Sequence, residues 1–225
     1  MTSTLSLKDF VEHMHHKRGK NTNIEFCNFY AYKMDEADGI GTALGVKVNE
    51  ASRADYVLIS ELKKIVQIIE FTDLTETIKE CREAEVIVGE EKESLAELFN
   101  KNKEVAKKIV MKKLWDDVVN EFQKKWLGSR FVMEKYSRKI GLEDDFKCRF
   151  LIVLRDGTDM KELQIVCDRL RGMMGEVPVC NSNNVGRLLL FKMPKPSILI
   201  TSYQSNFTFL SNPYSLGNTN FVSIK

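Results

Sequence analysis

Hydrophobic and polar positions along the chain change their period several times, and each period predicts an element. Leu7, Phe10, Val11 and Met14 recur near 3.6 residues after Ser6, which predicts a first helix over 7–16. Residues 25–34 carry Phe26, Cys27, Phe29, Tyr30 and Tyr32 and predict a strand. Asp38-Gly39-Ile40-Gly41 reads as a turn, with a further strand over 42–48. Residues 55–60 (DYVLIS) and 64–71 (KIVQIIEF) are β-branched, apolar and joined by a short polar link, the strongest hairpin signal in the chain. From Leu74 the period becomes helical, and Leu95, Leu98, Phe99, Val105, Ile109, Leu114, Val118, Phe122 and Trp126 mark a long amphipathic stretch over 94–127. A further helical piece covers 131–140, with Gly128 and Gly141 as stops. Lys147–Leu154 (KCRFLIVL) reads as a buried strand, 159–174 as a helix, and 187–193 and 197–201 as strands.

This order predicts an α/β fold: a mixed β-sheet flanked by helices, with a long amphipathic helical segment. The expected organisation is a single α/β domain over 1–201, interrupted by a helical insertion at about 74–140 and followed by a C-terminal extension over 202–225.

Composition narrows the classes without selecting one. A net charge of +2 from 34 Lys+Arg and 32 Asp+Glu, with 43% hydrophobic residues, excludes a disordered chain and a histone-like DNA coat. No apolar run approaches the roughly 20 residues of a membrane span, and the N-terminus lacks the apolar core of a secretory signal. The five cysteines, Cys27, Cys81, Cys148, Cys167 and Cys180, form no CxxC pair. They read as buried or free thiols of a reducing compartment, so the expected location is cytoplasmic, or nuclear where the host has a nucleus.

The hairpin carries the chemistry. If Ser60 pairs with Ile65, the register sets Asp55 opposite Glu70. Directly opposed residues of an antiparallel pair share a face with Cβ atoms ~4.5–5.5 Å apart, and like charges there destabilise the sheet. A Mg²⁺ or Mn²⁺ ion, which takes oxygen ligands, would neutralise both carboxylates. Alternation places Thr72 on the Glu70 face. The plain alternative is two hydrated carboxylates at the solvent ends of their strands.

The segment ADYVLISELKKIVQIIEFT, a strand-borne Asp followed by a hairpin and Glu-x-Thr, resembles the PD-(D/E)XK nuclease superfamily. That resemblance implies a restriction-endonuclease-like core of helix, three-stranded meander, helix and strand, and metal-dependent hydrolysis of phosphodiester bonds in DNA or RNA. It implies that Asp55 and Glu70 bind the metal, with Glu12 or Glu25 completing the set. Ala54 stands where the motif has proline, and Thr72 where it has the lysine that positions water and stabilises developing charge. Some members move that lysine to the following helix, which points to Lys79. Viral cap-snatching endonucleases are similar and add a histidine from an early helix, for which His13, His15 and His16 are candidates and His13 is preferred.

The other signals have plainer readings. His13–Lys20 (HMHHKRGK) is a solvated basic turn, a phosphate contact or a metal cluster. Gly39-Ile40-Gly41 has neither dinucleotide-binding nor P-loop spacing. A Cys27–histidine dyad rests on sequence proximity alone. The lysines of 101–125 suit a solvated helix face or a nucleic-acid track, and Trp115 and Trp126 suit core anchors. The 94–127 helix is core packing against a sheet or, alternatively, a homo-oligomer or protein-partner surface. Against the nuclease stands a non-catalytic nuclease-like or α/β interaction protein, a regulatory subunit or inhibitor, suggested by the missing motif lysine and the near-neutral charge.

Overall fold

The hairpin forms as its pattern predicts. Tyr56–Ser60 and Ile65–Thr72 pair antiparallel, with Ser60 opposite Ile65 and Tyr56 opposite Ile69. In the computed structural model, which describes residues 5–17, 23–75, 77, 79, 103–142, 146–158 and 163–193 (backbone alone over 103–114 and 164–165), this hairpin is the middle of one sheet. The elements are β1 (Val11–His16), β2 (Glu25–Lys33), α1 (Ile40–Ala43), β3 (Tyr56–Ser60), β4 (Ile65–Thr72), α2 (Lys103–Lys139), β5 (Lys147–Leu154), α3 (Gln164–Met174), β6 (Val179–Asn181) and α4 (Val185–Leu188). The six strands lie in chain order. β1 to β4 form an antiparallel meander, whereas β4–β5 and β5–β6 are parallel. Each parallel step needs a long crossover, and α2 and α3 lie in those two connections. The result is the expected α/β class, a mixed sheet with flanking helices.

The chain divides into two units, Met1–Met193 and Pro194–Lys225. All described elements belong to the first. The expected strand over 197–201 and the extension 202–225 lie outside the described residues, as do Cys81 and residues 94–102 of the amphipathic stretch.

Both faces of the sheet are covered, which is why β3, β4 and β5 read as nearly continuous apolar runs. On one face α2 buries Trp115, Val118, Val119, Phe122, Trp126, Val132, Met133 and Tyr136 against Val57, Ile59, Val66, Ile68, Phe150 and Ile152. From Trp115 onward the helical spacing is thus core packing, and both tryptophans are core anchors. The other face gathers Met14, Cys27, Tyr56, Leu58, Ile69, Phe71, Leu151 and Val185. Among the described residues, no helix is long and apolar enough to cross a membrane.

Four expectations are corrected. Residues 7–16 are not a helix: Leu7–Phe10 make one 3-10 turn and Val11–His16 form edge strand β1. Met14 and His16 are buried in alternation, and β2 supplies the backbone partners that decide for a strand. Residues 42–48 begin in α1 and continue as a loop rather than a strand: the Ala43, Leu44, Gly45 and Val46 N–H groups are bonded to carbonyls of residues 39–42, three to five residues back, and not to a neighbouring strand. Gly128 does not stop the helix, which runs unbroken to Lys139 and ends at Gly141, whose φ of +71° caps it as expected. Residues 187–193 are the end of α4 and irregular chain, whereas the short strand β6 lies at Val179–Asn181.

The contact between α2 and the segment before β3 sets the position of Asp55. Ser129 is buried, and its Oγ accepts the Ala54 N–H at 2.9 Å. Ser129→Ala is expected to cost about 1–3 kcal/mol in urea unfolding, because it strands that N–H in the core.

Candidate functional site

Continuing the β3–β4 register by one pair sets Asp55 opposite Glu70, as the sequence predicts. Asp55 sits at the mouth of β3, where its carbonyl accepts the Met34 N–H at 2.9 Å. Its Oδ2 accepts the Phe71 N–H at 3.0 Å, and its Oδ1 meets Lys17 Nζ at 3.1 Å. Glu70 is only 1% exposed. Its Oε1 accepts a charge-assisted hydrogen bond from Lys125 Nζ on α2, while Oε2 is buried with no hydrogen-bond partner.

The electrostatics follow from this burial. Desolvation, reinforced by the Asp55 charge, holds the Glu70 carboxyl well above the usual carboxylate range, and Lys125 opposes the shift. Burial acts to lower the Lys125 pKa, but Glu70, Asp55 and Glu121 together hold it above the ordinary lysine value. Glu121 Oε1 is 3.3 Å from the same ammonium group. Lys125 reaches the sheet because Phe122 and Trp126, either side of it on the buried stripe, anchor α2 edge-on against Phe150, with centroids 6.4 and 5.8 Å away.

A second cluster adjoins Asp55 around a small pocket of about 80 Å³. Lys17 Nζ bridges Asp55 to Glu36 Oε1 at 2.9 Å. Lys33 Nζ gathers Glu36 at 2.9 Å, Asp38 at 3.1 Å and Glu12 at 3.2 Å. Hydrogen bonds from Lys17 and Lys33 depress the Glu36 carboxyl to about 2. The Tyr56 hydroxyl donates to Glu12 Oε1 at 3.3 Å and lies 3.0 Å from His15 Nδ1. Glu36 adopts φ +70°, a left-handed backbone costly for a residue with a Cβ, and the two lysines with the Thr42 hydroxyl bond to its carbonyl hold it there.

The site residues expected from sequence therefore fall in several places. Asp55 and Glu70 come together, and half-buried Thr72 shares the Glu70 side of β4 by alternation. Glu12 belongs to the Lys33 cluster and is linked to Asp55 through Lys33, Glu36 and Lys17 in turn. Glu25 is tied to the end of β5, accepting the Asp156 N–H at 3.3 Å beside Arg155 at 3.8 Å. His13 lies between the rings of Phe26 and Tyr30, and its preference as a ligand loses the helical placement on which it stood. His16 is buried beside Phe71, and burial lowers its pKa below the ordinary imidazole value. Lys79 is exposed, in helical backbone after Leu74. Among the described residues, no three His, Cys, Asp or Glu side chains converge as metal ligands.

Lys125 is the residue that sequence reasoning missed. It reads as one more lysine of a solvated face. Yet it lies three residues after Phe122 and one before Trp126, on the border of the apolar stripe, whereas neighbouring Lys124 is exposed. The described cysteines are free, and burial raises Cys27 to about 11 and Cys180 to about 12, values of inert thiols rather than of an activated nucleophile.

No family model, curated protein or solved structure matches this chain.

Proposed function

We propose that the protein is a Mg²⁺- or Mn²⁺-dependent nuclease of PD-(D/E)XK type, hydrolysing phosphodiester bonds of DNA or RNA. One observation carries the reading: Asp55, at the mouth of β3, lies opposite Glu70 of β4, and Glu70, with one buried oxygen lacking any partner, meets a lysine delivered from α2. A buried bare carboxylate oxygen costs free energy unless something binds it. Magnesium-type ions suit such a donor set, since they take one or two carboxylates and fill their remaining positions with water and substrate oxygens. Asp55 and Glu70 are the residues that would hold the ion. When bound, the ion supplies an acidified water and charge neutralisation at the scissile phosphate.

The chain's own residues do the rest. Lys125, held protonated, keeps a fixed positive charge beside Glu70, where negative charge develops in the transition state. It takes the role for which Lys79 stood in the sequence. Thr72, on the same side of β4, offers a hydroxyl that orients water without adding charge. Phe71 N–H fixes the Asp55 carboxylate, so one ligand needs no reorganisation.

The test is cleavage of labelled DNA and RNA with Mg²⁺ or Mn²⁺. Wild type is expected to cut, and Asp55→Ala and Glu70→Ala to lose about 100-fold or more while remaining folded by circular dichroism. Equal cutting by all three proteins excludes the assignment.

A second reading, a non-catalytic regulatory subunit or inhibitor, is favoured by one specific arrangement. Lys17 and Lys125 already balance the two carboxylates, and α2 leaves Leu127 and Phe131 exposed at 54% and 46%. Mn²⁺ decides between them. A nuclease site gains about 2.7 kcal/mol of stability at a hundredfold excess over its dissociation constant. The interaction protein gains none.

A further inference from the structure

We infer that Lys17 is a built-in competitor for the divalent ion: its ammonium holds the Asp55 oxygen that Mg²⁺ or Mn²⁺ takes, and the ion enters by displacing it. This rests on the nuclease reading and adds to it the residue that sets its metal affinity. The two Asp55 oxygens are not equivalent. Oδ2 accepts the Phe71 N–H at 3.0 Å, whereas Oδ1 faces Lys17 Nζ at 3.1 Å. Glu70, on the neighbouring strand, keeps a buried oxygen with no hydrogen-bond partner. One of the two expected ligands is thus open, and the other is covered by a cation of the chain's own. The same ammonium reaches Glu36 Oε1 at 2.9 Å, so it links two carboxylates, as a divalent ion can.

The two lysines of the site differ in how readily they can leave. Lys125 stands on α2 between Phe122 and Trp126, both in the core, and its side chain is 20% exposed. Withdrawing it would leave Glu70 a buried charge without its partner. Lys17 directly follows β1, and its side chain is 48% exposed. Its flexible stem can turn the ammonium into water, and an exposed ion pair of this kind is weak. The backbone need not follow, because Arg155 Nη2 donates to the Lys17 carbonyl at 2.7 Å and holds it in place. The pocket itself favours the exchange. Glu12, Asp35, Glu36 and Asp55 line it against only Lys17 and Lys33, so its wall is net acidic with both lysines present. A divalent ion brings twice the charge that Lys17 removes on leaving.

The experiment is titration of the full chain with Mn²⁺ in about 0.15 M salt, where charges more than about 8 Å apart are screened, followed by loss of the free-ion paramagnetic resonance signal. Lys17→Met is expected to bind Mn²⁺ about fivefold tighter than wild type, the size of a half-exposed ion pair removed from the competition. Lys17→Arg, which keeps a cation in place, should not tighten. Lys33→Met removes an equal charge whose ion pairs are with Glu12, Glu36 and Asp38, and should change binding by about twofold at most. Adding Asp55→Ala to Lys17→Met should abolish the tight site. A second measurement needs no variant: in wild type, acetylation of Lys17 read by mass spectrometry should speed up severalfold when Mn²⁺ is added, with Lys33 unchanged. Equal or weaker binding by Lys17→Met, equal tightening by Lys33→Met, tight binding that survives Asp55→Ala, or Lys17 acetylation indifferent to Mn²⁺ overturns the inference. The two proposals fail separately. Mn²⁺-dependent cleavage with Lys17 indifferent to the ion rejects only the competitor, whereas Lys17-limited Mn²⁺ binding by a protein that never cuts rejects the nuclease and leaves the metal site. Absence of Mn²⁺ binding in both wild type and Lys17→Met rejects both.

Discussion

Lys125→Met is expected to reduce phosphodiester cleavage about 100- to 1,000-fold, the usual consequence of deleting one preorganised positive group at a developing anion. Methionine keeps the length and apolar stem of lysine, so α2 retains Phe122 and Trp126 in the core and the loss reports the charge itself. A structural ion pair without catalytic role would show the stability change described next and no change in cleavage rate per folded molecule. Rescue separates the cases further: Lys125→Arg restores charge but not the point geometry of an ammonium, and should recover stability before it recovers activity.

The stability change has a definite sign with pH. Burial holds the Glu70 carboxyl above its unfolded value near 4.5, so between those two values the folded protein binds a proton that the unfolded chain has released. Stability therefore falls as pH rises through that window. Lys125 is the group that limits the fall, since it lowers the Glu70 pKa from what burial and Asp55 alone would impose. In Lys125→Met the window extends upward, and the destabilisation relative to wild type should be small at pH 4.5 and grow toward about 3 kcal/mol at pH 8, where Glu70 would be a buried charge without its partner. Urea unfolding of both proteins at the two pH values checks this. A pH-independent difference would mean that Glu70 is ionised throughout.

What the sequence made legible, and what it hid, follows from the range of the interactions. The Asp55–Glu70 register could be read because β3 and β4 are joined by a short polar link, and burial on both faces leaves one pairing that keeps Val57, Ile59, Val66 and Ile68 together. Lys147–Leu154 and the cap at Gly141 were equally local. β1 was not, because Leu7, Phe10, Val11 and Met14 fit a helical period, and only the pairing of His13 with Tyr30 and His15 with Phe26 overrides it. Placement of Glu12 and the histidines was lost with it. Lys125 was hidden for a similar reason: its partner Glu70 is 55 residues away, and no spacing rule on a helix connects them.

Gly128→Ala is expected to destabilise the protein by about 3 kcal/mol, at the upper end of overpacking costs, although the substitution raises helix propensity by about 1 kcal/mol. An added Cβ would lie 2.0 Å from the Ser52 carbonyl oxygen and 3.2 Å from the Ala51 side chain. The first obstacle is backbone, so no rotamer relieves it. Nor can the 51–54 segment withdraw freely. Its Ala54 N–H is bonded to Ser129, and buried Arg53 is held by the Val46 carbonyl at 2.6 Å and by Asp35 at 3.2 Å. For a domain of this size the loss corresponds to a melting point lower by roughly 6–12 °C. The next residue after the displaced segment is Asp55, so the same methyl group should also disturb the Phe71 N–H and Lys17 contacts that fix its carboxylate. Cleavage measured well below the melting point should therefore fall in Gly128→Ala. In Gly141→Ala, where φ is +71° and no atom lies within 4 Å of the new Cβ, stability should fall by about 1 kcal/mol and cleavage should be unchanged. Equal effects of the two substitutions on cleavage would mean that α2 supports the fold without setting the position of Asp55.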